Sequence, residues 1–495
     1  MSSPSVLHEL PAGEPSFLST RRGKLTLAFL CMVGFLDFVD ASIVNVALPS
    51  IRRDLHFSVQ GLQWVLSAYL LTYGGFMLLG GRAADLLGRR RVLSAGIVVF
   101  ALASLTGGVA QDAGMLVAAR LVQGIGAAMM VPAALSTLTT TFSEGTDRHK
   151  AIGAWGGIAG LASAAGVFLG GLLTEDASWR WVFWVNLPVA AFLLVATFRI
   201  VDGKRAETRS RNFDSLGALL VTGGMLLLVY GLVEAPSRGW GAARTIGELA
   251  SAAVLLLAFV ANERRHPNPL APLSIFRVNG LGAANATQVM AIGGFYAMFF
   301  FITLYMQNVL GYSALQAGSA YLPVTLGVAV SSGIASQLFS RVGTRPIIVT
   351  GALISAGAVY WLSRIPVHGS YLTDLLPGLM IMSLGLGCVF VGVNTAANAG
   401  VPADKAGLAA ALVNTSTWVG GALGLAIFSV VATSRTDHLL ARATAAPDAL
   451  TAGFQRALLA CSLFLLAAAA IALRATNTRG EEQPAIDTEP ALEAI

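Results

Sequence analysis

The chain has 495 residues, 55% hydrophobic and 12% charged, about half the charge share of an ordinary soluble domain. That composition excludes a water-soluble globule, whose surface needs more charge, and disorder, which needs low hydrophobicity and high charge. The net charge of +6 then reads as topology rather than as nucleic-acid binding.

Residues 1–20 form a polar tail. Arg21, Arg22 and Lys24 precede an apolar run at 25–48. It is too long for the apolar stretch of a cleaved signal, and no small-residue cleavage site follows. A helix needs about 20 apolar residues to cross a bilayer. Further runs of that kind lie at 62–80, 92–111, 115–138, 151–173, 181–200, 213–233, 245–261, 281–306, 316–340, 346–363, 372–395, 406–434 and 454–474. The prediction is an all-α membrane protein of fourteen transmembrane helices, ending in an acidic tail at 478–495. The three cysteines, Cys31, Cys388 and Cys461, sit in apolar runs without disulfide or metal spacing. The 54 glycines suit close helix packing in lipid.

With both tails cytoplasmic, about 22 Lys and Arg fall inside and about 9 outside, leaving Arg120 within a span. The strongest inside clusters are Arg82/Arg89/Arg90/Arg91 and Lys204/Arg205/Arg209/Arg211. Ser67-Ala68-Tyr69-Leu70 recurs as Ser319-Ala320-Tyr321-Leu322, and Gly81…Arg89 as Gly333…Arg341, both at an offset of 252. The reading is two six-helix bundles, 21–202 and 271–477, with two additional central helices in 203–270. Paired bundles with a site at their interface are a transporter plan.

Charges at bilayer depth cost at least about 2.5–3.5 kcal/mol on insertion scales, which makes them functional candidates. The first span holds Asp37 and Asp40, three apart and so on one face. The fourth holds Arg120, followed on its own face by Gln123. By helical rise, Asp40 lies about 12 Å and Arg120 about 8 Å from their outer span ends. The two meet at similar depth, either as a static lock or as a carboxylate balanced between burial and a cation, able to load and release a proton. Gly81, Asp85, Gly88, Arg89 and Arg90 read as a cytoplasmic gating loop. Glycines 153, 156, 157, 160, 166, 170 and 171 line a helix that packs tightly and slides or bends. Phe295, Met298, Phe299 and Tyr305 are candidate contacts for an amphipathic ligand, in an aromatic run expected to face lipid in part. Trp179, Trp181 and Trp184 beside Arg180 read as an interfacial belt.

These residues resemble the fourteen-helix drug:proton antiporters of the major facilitator superfamily over nearly the whole chain. Asp40-Ala-Ser-Ile-Val-Asn45-Val-Ala-Leu-Pro49 is similar to the family's first-helix signature, with Asp40 at its acidic position. Gly81…Asp85…Gly88-Arg89-Arg90 resembles the superfamily's loop motif. Arg120-Leu-Val-Gln123-Gly124-Ile-Gly126 resembles the fourth-helix motif, whose arginine is implicated in proton coupling. Gly157…Gly166-Val167-Phe-Leu-Gly170-Gly171 resembles the antiporter motif, and Trp179-Arg180-Trp181-Val-Phe183…Asn186-Leu-Pro188 also matches the family. The chain departs from the pattern at Val167, where proline is usual, and at Gln337, where the repeat of the loop motif would carry an acid.

The resemblance implies the major facilitator fold and proton-coupled efflux of amphipathic drugs or antibiotics by alternating access. Asp40, Asp37 and Arg120 would couple protons. Asp37, Asp40, Gln123, Phe295, Met298, Phe299 and Tyr305 would contact substrate. No Gly-x4-Gly-Lys-Ser/Thr loop appears, so the proton gradient is the expected energy source, with no cofactor and no metal. The expected partners are a small amphipathic molecule, protons and the bilayer, with no nucleic acid. The expected state is a monomer in the cytoplasmic membrane with both termini cytoplasmic. A proton-coupled importer is the alternative that Val167 leaves open. A membrane-embedded enzyme would need a reaction signature such as HExxH or Gly-x-Ser-x-Gly. A sensor would need a signalling domain. Neither appears.

Overall fold

The computed structural model describes residues 17–142, 146–201, 214–267, 269–270, 273–399, 401 and 406–479. The tails and the Lys204–Arg211 cluster fall largely or wholly outside these. Fourteen long helices follow one another: α1 Arg21–Asp54, α2 Trp64–Leu87, α3 Arg89–Gly108, α4 Ala113–Thr141, α5 Thr146–Asp176, α6 Asn186–Ile200, α7 Ser215–Arg238, α8 Ala243–Arg265, α9 Leu281–Asn308, α10 Leu322–Val342, α11 Thr344–Leu362, α12 Leu376–Asn398, α13 Ala406–Leu440 and α14 Ala446–Ala472. Among the described residues, thirteen helical segments are long and apolar enough to cross a membrane. The glycine-rich α5 stands outside that count.

Helix is the form these runs must take. Lipid offers no hydrogen bonds, so the backbone has to satisfy its own. Polar caps mark where some helices begin. The Thr20 side chain accepts from Gly23 N–H at 3.0 Å at the start of α1, and Asp112 from Met115 N–H at 2.9 Å at the start of α4.

The predicted loop between α2 and α3 shrinks to one residue. Gly81 to Leu87 are the last turns of α2, and Arg89 begins α3. Arg82 and Asp85 do not end the helix, because its backbone bonds do not depend on apolar side chains. The break is Gly88 at φ 97° and ψ 129°, backbone that L side chains rarely adopt.

Helix ends also correct the repeat. Ser58 caps a single turn, Val59–Leu62, before α2, and Ser313 caps the short helix Ala314–Ser319 before α10. Gly88 separates α2 from α3, and Gly343, at φ 89°, separates α10 from α11. These pairs share an offset of 255, not 252. The four-residue match that set the predicted register was coincidence in a biased composition. Tyr69 corresponds to Val324, and Asp85 to Ser340.

α1–α6 pack together, as do α9–α14. The two sets meet where α2 lies on α13, α1 on α9, and α5 on α10 and the short helix before it. α7 lies on both α2 and α13, and α8 packs on α7. The inserted pair therefore stands outside one of the two seams.

The seams are closed at the face opposite the chain termini. There Asn45 Nδ2 donates to Thr303 Oγ1 at 3.0 Å, Gln307 Nε2 to the Val46 carbonyl at 2.9 Å, and Leu315 N–H to Glu175 at 3.0 Å. Toward the termini there is open space beside several helical glycines. No atom lies within 4 Å of where a Cβ would stand at Gly153 and Gly157 of α5 or Gly333 of α10. Among the described residues, the hydrogen bonds that join the two bundles lie at the face away from the chain ends.

Candidate functional site

α1 places Asp37 and Asp40 on one face, and both are wholly buried. They do not share partners. Asp40 Oδ2 takes Arg120 Nη1 at 2.7 Å. Asp40 Oδ1 accepts from Gln123 Nε2 and Asn186 Nδ2, each at 2.7 Å. Asp37 instead accepts Tyr69 Oη at 2.7 Å on one oxygen and Tyr73 Oη at 3.0 Å on the other. Two carboxylates one turn apart thus have different chemistry. One is charge-paired and fully coordinated; the other is held by two neutral phenols.

Arg120 comes from α4. Nε donates to the Val65 carbonyl at 2.9 Å, and Nη1 also reaches Gln123 Oε1 at 2.7 Å. The guanidinium carbon lies 4.2 Å from the Tyr69 ring centroid, in cation–π geometry. Nη2 has no hydrogen-bond partner among the described residues. Ser104 of α3 accepts from Gln123 Nε2 at 2.9 Å and extends the network. A buried ion pair survives in low dielectric only when hydrogen bonds meet most of its remaining valences, and the amides of Gln123 and Asn186 do that for the Asp40 carboxylate.

Asn186, Ser104, Tyr69 and Tyr73 are the residues that charge counting missed. Neutral polar groups carry no penalty large enough to stand out. The available signal was spacing: Tyr69 and Tyr73, four apart in an apolar run, share one helix face.

Gln123, predicted to meet substrate, has no exposed surface. Its amide is spent on Arg120, Asp40 and Ser104. Part of the aromatic run of α9 is covered by other helices. Met298, Phe300, Phe301 and Tyr305 are buried, because α9 lies beneath α12, α13 and α14. Phe295, Tyr296 and Phe299 stay half-buried. Phe299 lies 4.1 Å from the Tyr321 ring, and Phe295 stacks on Phe299 at 6.1 Å. Tyr305 is drawn away to the far end, where its hydroxyl donates to the Pro366 carbonyl at 2.5 Å. The structure thus groups Phe295 and Phe299, but not Met298 and Tyr305, on one half-buried aromatic surface.

Gly166 and Gly170 set the α1–α5 crossing. A Cβ on Gly166 would stand 2.9 Å from the Val39 carbonyl oxygen, and one on Gly170 2.6 Å from that of Ile43. Gly171 meets the other half, with Ala314 O 2.7 Å from its would-be Cβ. Gly157 touches nothing. Val167 lies inside an unbroken α5, so the helix has no proline bend.

Among the residues of the predicted gating loop, Gly81 faces Pro132 of α4. Arg89 donates to Ser136 at 2.8 Å and Thr140 at 2.6 Å, and Arg90 lies over the Phe198 ring at 4.7 Å. These bonds stay within the first bundle. The Asp85 side chain lies outside the described atoms. Of the predicted tryptophan belt, Trp179 is buried and donates to Asp54 at 2.9 Å, beside the Arg180–Asp54 pair at 2.5 Å. Trp181 is exposed, as an interfacial anchor would be.

Comparison with known proteins fits this geometry. The profile described as Major Facilitator Superfamily matches residues 30–425. The puromycin resistance protein pur8 of Streptomyces alboniger is 40% identical over 86% of this chain and 85% of its own. The cephamycin export protein CmcT of Amycolatopsis lactamdurans is 38% identical over 94% of this chain and 95% of its own. Among solved structures, a bacterial homologue of the lysosomal transporter Spinster, inward-facing and occupied, superposes with a TM-score of 0.67. It covers 92% of this chain and 97% of that one at 17% identity, a likeness of fold alone.

Proposed function

The chain belongs to the Major Facilitator Superfamily, and on that footing we propose that it exports amphipathic drugs or antibiotics from the cytoplasm in exchange for protons. Relatives bearing the names of puromycin resistance and cephamycin export support the direction and the substrate class. The observation that carries proton coupling is the pair Asp37 and Asp40, wholly buried within a membrane span. Ionisable groups at that depth serve proton and substrate pathways by default.

The cycle follows from the two faces. With both termini cytoplasmic, the face away from the far-side bonds opens to the cytoplasm in this reading and admits substrate along Phe295 and Phe299. Rocking of the bundles about α1–α9 and α2–α13 closes that face and parts the far one. Substrate leaves outward, a proton enters at the acidic pair, and the neutralised site returns. Arg120 competes with that proton for Asp40, so the ion pair and the protonated state are alternatives. Asn186 and Gln123 hold the Asp40 carboxylate in place in either state. Neither step calls for a bound cofactor.

The test is efflux in everted membrane vesicles, with ethidium and a panel of puromycin, cephamycin and lincomycin as probes. Asp40→Asn is expected to abolish proton movement coupled to drug at equal protein level; unchanged coupling would refute the assignment. Import by the same machinery is the second reading. It rests on Val167 in place of the antiporter-motif proline, and uptake by whole cells decides it.

A further inference from the structure

Asp37 is tied to the opposite bundle through aromatic rings. Tyr73, which donates to Asp37, stacks on Trp418 of α13 with centroids 4.3 Å apart and planes at 25°. Tyr69, the other donor, meets Trp418 edge-on at 6.4 Å and Tyr73 edge-on at 5.6 Å. Trp418 is 4% exposed. Gly74, next after Tyr73, lets α2 approach so closely that a Cβ there would sit 3.0 Å from the Trp418 Cβ. One side of Tyr69 faces the Arg120 guanidinium and another faces Trp418. A wedge of three rings therefore fills the α2–α13 seam, with all the charge on one side of it.

We propose that Trp418 is the positioning residue through which the C-terminal bundle registers the charge of Asp37. The proposal rests on the proton-coupled reading above and deepens it. An ionised carboxylate accepts from both phenols and holds both rings. A protonated one has become a donor and a weaker acceptor, which frees one phenol to turn. Since Tyr73 stacks flat on Trp418, its turning alters the seam on which the bundles rock. The groups that face Asp37 are Asp40 on its own helix, Arg120 from α4, Tyr69 and Tyr73 from α2, and Tyr296 from α9. The nearest cation is committed to Asp40, so Asp37 is the carboxylate whose charge its tyrosines report.

Two measurements test this. The first is the fluorescence of purified protein minus that of Trp418→Phe, which isolates Trp418 emission without requiring transport. It is expected to titrate with pH, and to lose that titration in Asp37→Asn. Emission that is flat, or that titrates unchanged in Asp37→Asn, overturns the proposal. The second is the pH profile of ethidium efflux. Trp418→Ala is expected to lose most of the profile's pH dependence, Trp418→Phe to restore it, and Trp418→Ala with Asp37→Asn to match either single variant. A Trp418→Ala rate lowered equally at every pH marks mere packing and overturns the proposal. Failure of proton coupling itself would show as drug efflux without proton movement in the unsubstituted protein, and the fluorescence result stands apart from it.

Discussion

Asp37 and Asp40 stand three residues apart on one helix, yet only Asp40 touches a guanidinium. Spacing brings them to the same face, and the neighbouring helices then divide them. α4 and α6 take Asp40, while α2 takes Asp37. The division leaves one carboxylate paired with a cation and the other held by two neutral phenols.

The Asp40–Arg120 pair is testable by unpairing it. Arg120→Ala leaves Asp40 buried beside amides but without its cation, and breaking a buried pair from one side costs about 3–5 kcal/mol. The double variant Arg120→Gln with Asp40→Asn removes both charges and keeps hydrogen-bonding shape. It is expected to melt well above Arg120→Ala in detergent. A double variant melting no higher would mean that the pair does not act as a unit.

The far-face closure carries its own carboxylate. Glu175 lies beyond the predicted span of α5, and hydrogen bonds from the Ser313 hydroxyl and the Leu315 N–H hold its carboxyl below the usual range. A depressed value means the contact contributes above the ordinary carboxylate range and is lost as pH falls through the lowered one. A spin-label distance across the far face should stay short at neutral pH and lengthen only in strong acid. Glu175→Ala should lengthen it already at neutral pH, and an unchanged distance would count against the contact.

Gly318 tests the same closure by bulk. A Cβ there would overlap the Val167 carbonyl oxygen. Gly318→Val is therefore expected to hold the far face apart, read as a longer spin-label distance between the ends of α5 and α10. It should also slow efflux. A distance identical to that of the parent would show that the helices yield around the new side chain.

Gly88 and Gly343 form a matched pair. Both have positive φ with extended ψ, a region that costs a residue with a side chain about 1–3 kcal/mol. Gly88→Ala and Gly343→Ala should each lower the melting temperature, by similar amounts. A loss at one position only would contradict the 255-residue register.

Much of this was legible because lipid makes a sequence loud. Fourteen apolar runs became fourteen long helices, and the charges set deepest inside them, chiefly Asp37, Asp40 and Arg120, fell in one cluster. Quieter residues did not announce themselves. Asn186 lies in a motif that was recognised, yet nothing about an isolated amide says that it will bond Asp40. Trp418 reads as one more apolar residue until α2 is laid against α13. The repeat failed for a related reason: Ser, Ala, Tyr and Leu are common enough here to match by accident, whereas a glycine at positive φ between two helices is a structural coincidence that chance rarely repeats. Tyr305 shows the remaining gap. Its ring suits a binding surface, but the loop carbonyl of Pro366 claims its hydroxyl, and only folding brings those two together.

The position of α7 and α8 has a consequence for the surrounding lipid. They lie outside the α2–α13 seam, while the α5–α10 seam has no such cover among the described residues. Along α10, Leu326, Val330, Ile334 and Leu338 are exposed at four-residue steps, a stripe that faces acyl chains directly. A molecule dissolved in the bilayer therefore meets two unlike flanks: on one side a wall two helices thick, on the other a bare joint between the two bundles.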